Sequence, residues 1–98
     1  MDVLQDKITK TCDSIIKHFD DIIVAVREID TYLMGLYMDQ EINGFSKLSI
    51  TNKNGEDGIY FGIQLPGFHG MNGWVDCFIT LSNKKKVFNA FDQAMKGI

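Results

Sequence analysis

ITKTCDSIIKHFDDIIVAVREIDTYLMGL, residues 8–36, carries Ile8, Cys12, Ile15, Phe19, Ile22, Val26, Ile29, Leu33 and Leu36 at alternating steps of four and three. That spacing returns every apolar side chain to one stripe of an α-helix, the a and d positions of a heptad pattern. No Pro or Gly interrupts the stripe until Gly35. One helix from about Asp2 to Asp39 would be ~57 Å long at 1.5 Å per residue. A compact chain of about 100 residues has a radius of gyration of only ~13 Å. The helix must therefore overhang its domain, bend around it, or pack against another copy or another protein.

Ile16, Ile23 and Tyr37 widen the stripe at e positions. A two-stranded coiled coil has no need of them, whereas a helix laid on a sheet does. Ile at successive d positions also disfavours a simple parallel dimer. The expectation is a helix that covers a sheet and uses its remaining length for a partner. Ile15, Phe19, Ile22, Val26, Ile29 and Leu33 are the residues through which a homodimer would form. The alternative is a break near Asp20-Asp21, with Asp20 capping a second helix. With no Gly or Pro there, a bend is favoured over a sharp turn.

Asn43-Gly44 ends the helical part. Three runs of period two follow, as half-buried strands require. In the first, Ser46, Leu48 and Ile50 alternate with Phe45, Lys47, Ser49 and Thr51. In the second, Ile59, Phe61, Ile63 and Leu65 alternate with Tyr60, Gly62 and Gln64. In the third, Val75, Cys77, Ile79 and Leu81 alternate with Trp74, Asp76, Phe78 and Thr80. Residues 52–58 read as a hairpin connection built on Asn54-Gly55 and Asp57-Gly58. From about Ser82 to Lys96 a helix is expected, with Val87, Phe88, Phe91, Ala94, Met95 and Ile98 on one face. The chain thus reads as a single α+β domain over residues 1–98. Its order is α-β-β-β-α, with a three-stranded antiparallel meander and helices on one sheet face.

Composition is that of an ordinary globular domain: 98 residues, 45% hydrophobic and 23% charged. A net charge of −3 argues against a general attraction to nucleic acid. Two cysteines make no disulfide framework, and both Cys12 and Cys77 fall on inward positions. Asp2, Asp6, Lys7, Lys10, Asp13, Lys17 and Asp20 leave no room for a signal peptide. No apolar run reaches the ~18 residues of a membrane span. A cytoplasmic protein without membrane association is expected.

Three features can carry function. The sheet face turned away from the helices would show Phe45, Tyr60, Trp74 and Phe78 among polar residues, a pattern of interface anchors. The loop Pro66-Gly67-Phe68-His69-Gly70-Met71-Asn72-Gly73 would display Phe68, His69 and Met71 on a glycine-rich backbone. It is not a phosphate loop, because no Gly-Lys-Ser/Thr follows and it leads into a strand. Lys84, Lys85 and Lys86 stand at the start of the last helix, where cations oppose the helix dipole. A locally unfavourable cluster of this kind suits a grip on phosphate or on an acidic partner.

The order α-β-β-β-α ending in Ser82-Asn83-Lys84-Lys85-Lys86 and an apolar helix resembles a double-stranded-RNA-binding domain. That resemblance implies that Lys84, Lys85 and Lys86 grip phosphates across the RNA groove. Pro66-Gly67-Phe68-His69 echoes the family's Gly-Pro-x-His loop in scrambled order, one hairpin later than the family places it.

Catalysis finds little support. His69 could pair with Cys77 or Asp76 as base and nucleophile. By alternation, however, Cys77 points inward and Asp76 outward. Cys12, His18 and Asp21 do not share a helix face well enough to ligate a metal. Asn52-x-Asn54-Gly55 lacks the acidic positions of a calcium loop. The expectation is a protein with no enzyme activity, metal or cofactor, binding another protein. It would be a small steric inhibitor or adaptor, in the style of mobile-element antagonists such as anti-CRISPR proteins, or an immunity protein. Double-stranded-RNA binding through the lysines is the alternative.

Overall fold

The computed structural model describes residues 3–81. Within them the chain runs α1 (Val3–His18), α2 (Ile22–Met38), β1 (Gly44–Phe45), β2 (Ser49–Lys53), β3 (Glu56–Gln64) and β4 (Trp74–Thr80). The fold is α+β, with an antiparallel sheet covered on one face by helices. The helix read over residues 82–96, with Lys84, Lys85 and Lys86, lies outside the described residues.

The single long helix is corrected to two, and the longest dimension of the molecule is 39 Å. Local charge explains where the chain breaks. α1 ends on Lys17 and His18, basic residues in its last turn, and the Lys17 cation suits the negative end of its dipole. Asp21 then caps α2: its backbone is extended (φ −85°, ψ 117°) and its Oδ1 accepts from the Ile23 N–H at 2.8 Å. The capping residue is Asp21, one position beyond Asp20. No Gly or Pro is needed, because a paired stop and start signal does the work.

The break also redirects the apolar stripe. α1 buries Ile8, Cys12 and Ile16, and α2 buries Ile22, Ala25, Ile29, Leu33 and Leu36. These faces lie on the sheet and on each other, α1 against β4 and α2 against β1. Ile22, Ile29 and Leu33 are therefore core residues of this chain. Ile15, Phe19 and Val26 pack half-buried against the same core. Three of the six residues read as a self-association surface thus belong to the chain's own core, where each fully buried Ile or Leu contributes about 1.5–3 kcal/mol relative to exposure.

β3 is the central strand, paired with β4 on one side and with β1 and β2 on the other. β1 and β2 are two halves of the expected first strand, so the sheet has four strands and keeps the meander's path. The registers show why. Phe45 pairs with Ile63 and Ile50 with Ile59, so five steps along the edge match four along β3. One extra residue near Lys47-Leu48 makes a β-bulge and inverts the side-chain parity. Ser46 holds the upstream half in place, its N–H donating to Gly62 O at 2.9 Å and its Oγ accepting from Gly62 N–H at 2.7 Å. Phe45, expected on the outer face, therefore points to the helix side with Ile63. There it meets Tyr37 edge-on, with ring centroids 6.4 Å apart.

The β2–β3 connection is tighter than expected. Asn54 and Gly55 both have positive φ (54° and 84°), as a two-residue type I′ turn requires. Asp57 and Gly58 belong to β3 instead of the turn.

Cys12 and Cys77 are free and buried where α1 meets β4. Burial, with Cys77 close by, pushes the Cys12 thiol from 9.0 up to about 12, and burial raises Cys77 as well. The folded state thus prefers the neutral thiol. This contribution to stability is complete below pH 9 and is lost as pH rises from 9 toward 12. Neither thiol is expected to react with an alkylating reagent at pH 8 in native buffer, and both should react in denaturant. Mass spectrometry of the alkylated protein checks this, and rapid native labelling of Cys12 would contradict the packing.

Candidate protein-interaction site

Three of the four expected outer-face aromatics are where alternation puts them. Tyr60, Trp74 and Phe78 face away from the helices, whereas Phe45 does not. Trp74 packs over two glycines. A Cβ on Gly62 would lie 3.4 Å from the indole Cε3, and one on Gly44 would lie 3.6 Å from Cη2. The ring therefore lies across β3 onto β1, with its Nε1–H donating to Gly70 O at 2.9 Å. It is still 42% exposed. Tyr60 donates its hydroxyl to Asp76 Oδ1 at 2.8 Å, and this bond to a carboxylate raises the phenol's pKa. Lys53 Nζ stands 5.8 Å from the Phe78 ring centroid, in cation–π range.

The loop of residues 66–73 is pinned from beneath. Gln64, on the outer face of β3, is buried, at 5% exposure. Its Nε2 donates to the carbonyls of Gly70 (3.1 Å) and Asn72 (2.8 Å), and its Oε1 accepts from Asn43 Nδ2 at 3.3 Å. The Asn43 amide also donates to Phe68 O and lies 3.5 Å from His69 Nδ1. The base of the loop closes through Leu65 N–H to Gly73 O at 2.9 Å. Gly73 has φ +72°, and a Cβ there would fall 2.2 Å from Phe68 Cγ, so only glycine lets Phe68 fold across the loop's exit. The inward carbonyls are occupied while Phe68 (45% exposed), His69 and Met71 (94%) stay outside. Replacing Gln64 with Leu should strand the Asn72 carbonyl, leave Gly70 O with its bond from Trp74 alone, and destabilise the protein by about 1–3 kcal/mol. Faster exchange of the Leu65 amide would show the loop opening. An unchanged melting temperature would mean that the loop does not depend on Gln64.

Next to this loop the structure brings residues that the strand and loop reading missed. The last turns of α2 expose Met34, Tyr37 and Met38. A groove of about 540 Å³ runs between them and the loop, lined by Tyr37, Met38, Gln40, Ile42, Asn43, Pro66 and Gly67. A second, of about 360 Å³, continues from Met34, Tyr37 and Asn43 to Gln64 and Trp74. The end of α2, the loop and Trp74 thus form one surface. A signal was present in the sequence: Tyr32-Leu33-Met34-Gly35-Leu36-Tyr37-Met38 is apolar all round the helix. Such a segment cannot bury every side against one sheet.

His69 lies by Asn43, Asp76 accepts from Tyr60, and Cys77 is buried in the core. The nucleophile–base pair considered for His69 therefore does not assemble. Among the described residues no group of three or more His, Cys, Asp or Glu is placed to hold a metal ion. No helix among them is long and apolar enough to cross a membrane. Compared with protein-family models, curated proteins and solved structures, the chain matches none.

Proposed function

We propose that this chain is a non-enzymatic protein-interaction module, a small steric inhibitor or adaptor. The docking surface would be the end built from Met34, Tyr37, Met38, Phe68, Met71 and Trp74. One observation carries the reading: several large apolar side chains stay exposed together on and beside a loop whose backbone is already tied down. Pre-ordered loops lose little entropy on binding. Exposed Met and aromatic side chains are characteristic anchors of protein interfaces. The mechanism is occlusion, in which the end covers a surface that the target needs for its own substrate or partner. An inhibitor carried by a mobile element, of the anti-CRISPR style, or an immunity protein acts in this way. In this reading the partner is a different protein, and Ile22, Ile29 and Leu33 of the α1–α2 stripe serve the chain's own core.

The test is capture from host lysate, with and without nuclease, by the wild type and by Met34→Gln/Met38→Gln. Both side chains are exposed, so stability should stay within about 0.5 kcal/mol. The expected result is a discrete protein retained after nuclease and lost with the double variant. Equal recovery by both proteins would remove this end from the reading. Recovery that disappears with nuclease would favour RNA binding through Lys84, Lys85 and Lys86.

A further inference from the structure

The end that carries the exposed methionines is also the part of the described molecule from which positive charge is missing. The segments that build it, residues 34–45 and residues 64–74, contain no Lys or Arg, while Asp39 and Glu41 lie in them. The basic residues of the described chain sit elsewhere: Lys7, Lys10 and Lys17 on α1, then Arg27, Lys47 and Lys53. α2 directs the negative end of its dipole here, and its last turn holds no basic side chain to offset it. Asp39 and Glu41, both exposed, flank Gln40 in the wall of the larger groove.

We propose that the partner presents a cationic amphipathic segment, apolar side chains bordered by Lys or Arg, to this end. The proposal rests on the interaction reading above and names the chemistry of what binds. The grooves and the methionines receive the apolar side chains, since unbranched thioethers adapt to helix faces of differing shape. Asp39, Glu41 and the α2 terminus receive the cations at the rim. A second copy of this chain is disfavoured, because the matching end of that copy offers, among the described residues, no Lys or Arg to meet Asp39 and Glu41. Rim charges act chiefly on encounter and selection of partner, so binding through them must weaken with salt.

The experiment selects binders from a displayed library of random peptides on the full-length protein. Affinities are then measured through the fluorescence of Trp74, the one tryptophan of the chain. The selected peptides should carry net positive charge and apolar residues. They should lose at least tenfold in affinity to Met34→Gln/Met38→Gln, to Asp39→Lys/Glu41→Lys, and to 500 mM salt. The control Asp6→Lys/Asp13→Lys makes the same change in net charge on α1 and should cost less than threefold. Neutral or acidic peptides would overturn the proposal, as would equal losses for the two charge reversals. In both cases continued dependence on Met34 and Met38 would leave the interaction reading standing. Binders indifferent to Met34 and Met38 would overturn both. Failure to select any peptide would overturn the proposal too, and light scattering would then show whether a second copy closes the end.

Discussion

Replacing Ile22 with Asp is expected to abolish the cooperative unfolding transition, leaving a chain without a stable core. Ile22 is the first residue of α2 and is only 2% exposed. A carboxylate near a helix N-terminus gains about 0.3–1 kcal/mol where solvent reaches it, but here it would face the core between the helices and the sheet. An unpaired buried carboxylate costs several kcal/mol or takes up a proton, and the packing of the isoleucine is lost as well. Small domains hold about 5–15 kcal/mol in total, so one such change can consume most of the margin. Circular dichroism and a thermal melt measure it directly. The heptad reading predicts instead a folded or partly unfolded monomer released from a dimer. A cooperative melt with a halved mass in light scattering would restore the stripe as an interface.

The second large effect is expected at Gly58. A Cβ there would sit 2.3 Å from Phe78 Cζ and 2.7 Å from the backbone oxygen of Ile79. The ring can swing aside, but the Ile79 carbonyl belongs to β4, held by the pairing of Ile59 with Ile79. Overpacking of this kind costs about 1–3 kcal/mol. Gly58→Ala should therefore lower the denaturation midpoint clearly. Adding Phe78→Ala should recover only part of the loss, because the carbonyl contact remains. Complete recovery would mean that the ring alone fills the space, and no loss at all would mean that β3 and β4 are spaced more widely than described.

These two positions also show what sequence patterns reveal and where they stop. The strands around Ile59, Phe61, Ile63, Cys77 and Ile79 were legible because period two is a local property of a half-buried strand. Phe45 was misplaced because a single extra residue near Lys47 inverts parity, and a bulge is defined by pairing with a distant strand. The helix break was written in the chain as Lys17-His18 followed by Asp20-Asp21. The apolar stripe runs through it without interruption and masks it, since Ile22 is buried whether the helix stops or continues. Of the docking end proposed above, Phe68, Met71 and Trp74 were legible as residues out of place on a wet face or loop, whereas Tyr60 and Phe78 are on the outer face but away from that end. Gln64 was not legible: a polar residue on an outer strand position reads as solvated, and only the returning loop turns it into a buried support. Met34 and Met38 escaped because their neighbourhood with Trp74 is made by β1 and the loop, far along the chain.

The bulge between β1 and β2 has a bearing on behaviour in concentrated solution. Among the described residues no strand pairs outward from β1 or β2, so within them that edge keeps its outward backbone groups unpaired by any strand. Open edges are templates for aggregation, and proteins defend them with interruptions and charge. Here the edge is cut into runs of two and five residues, with Lys47 at the interruption. An incoming strand cannot stay in register across the cut without placing an extra residue of its own opposite it. The β1–β2 edge is thus guarded against pairing with a second chain along its backbone, in a protein that leaves methionines and aromatics exposed elsewhere on its surface.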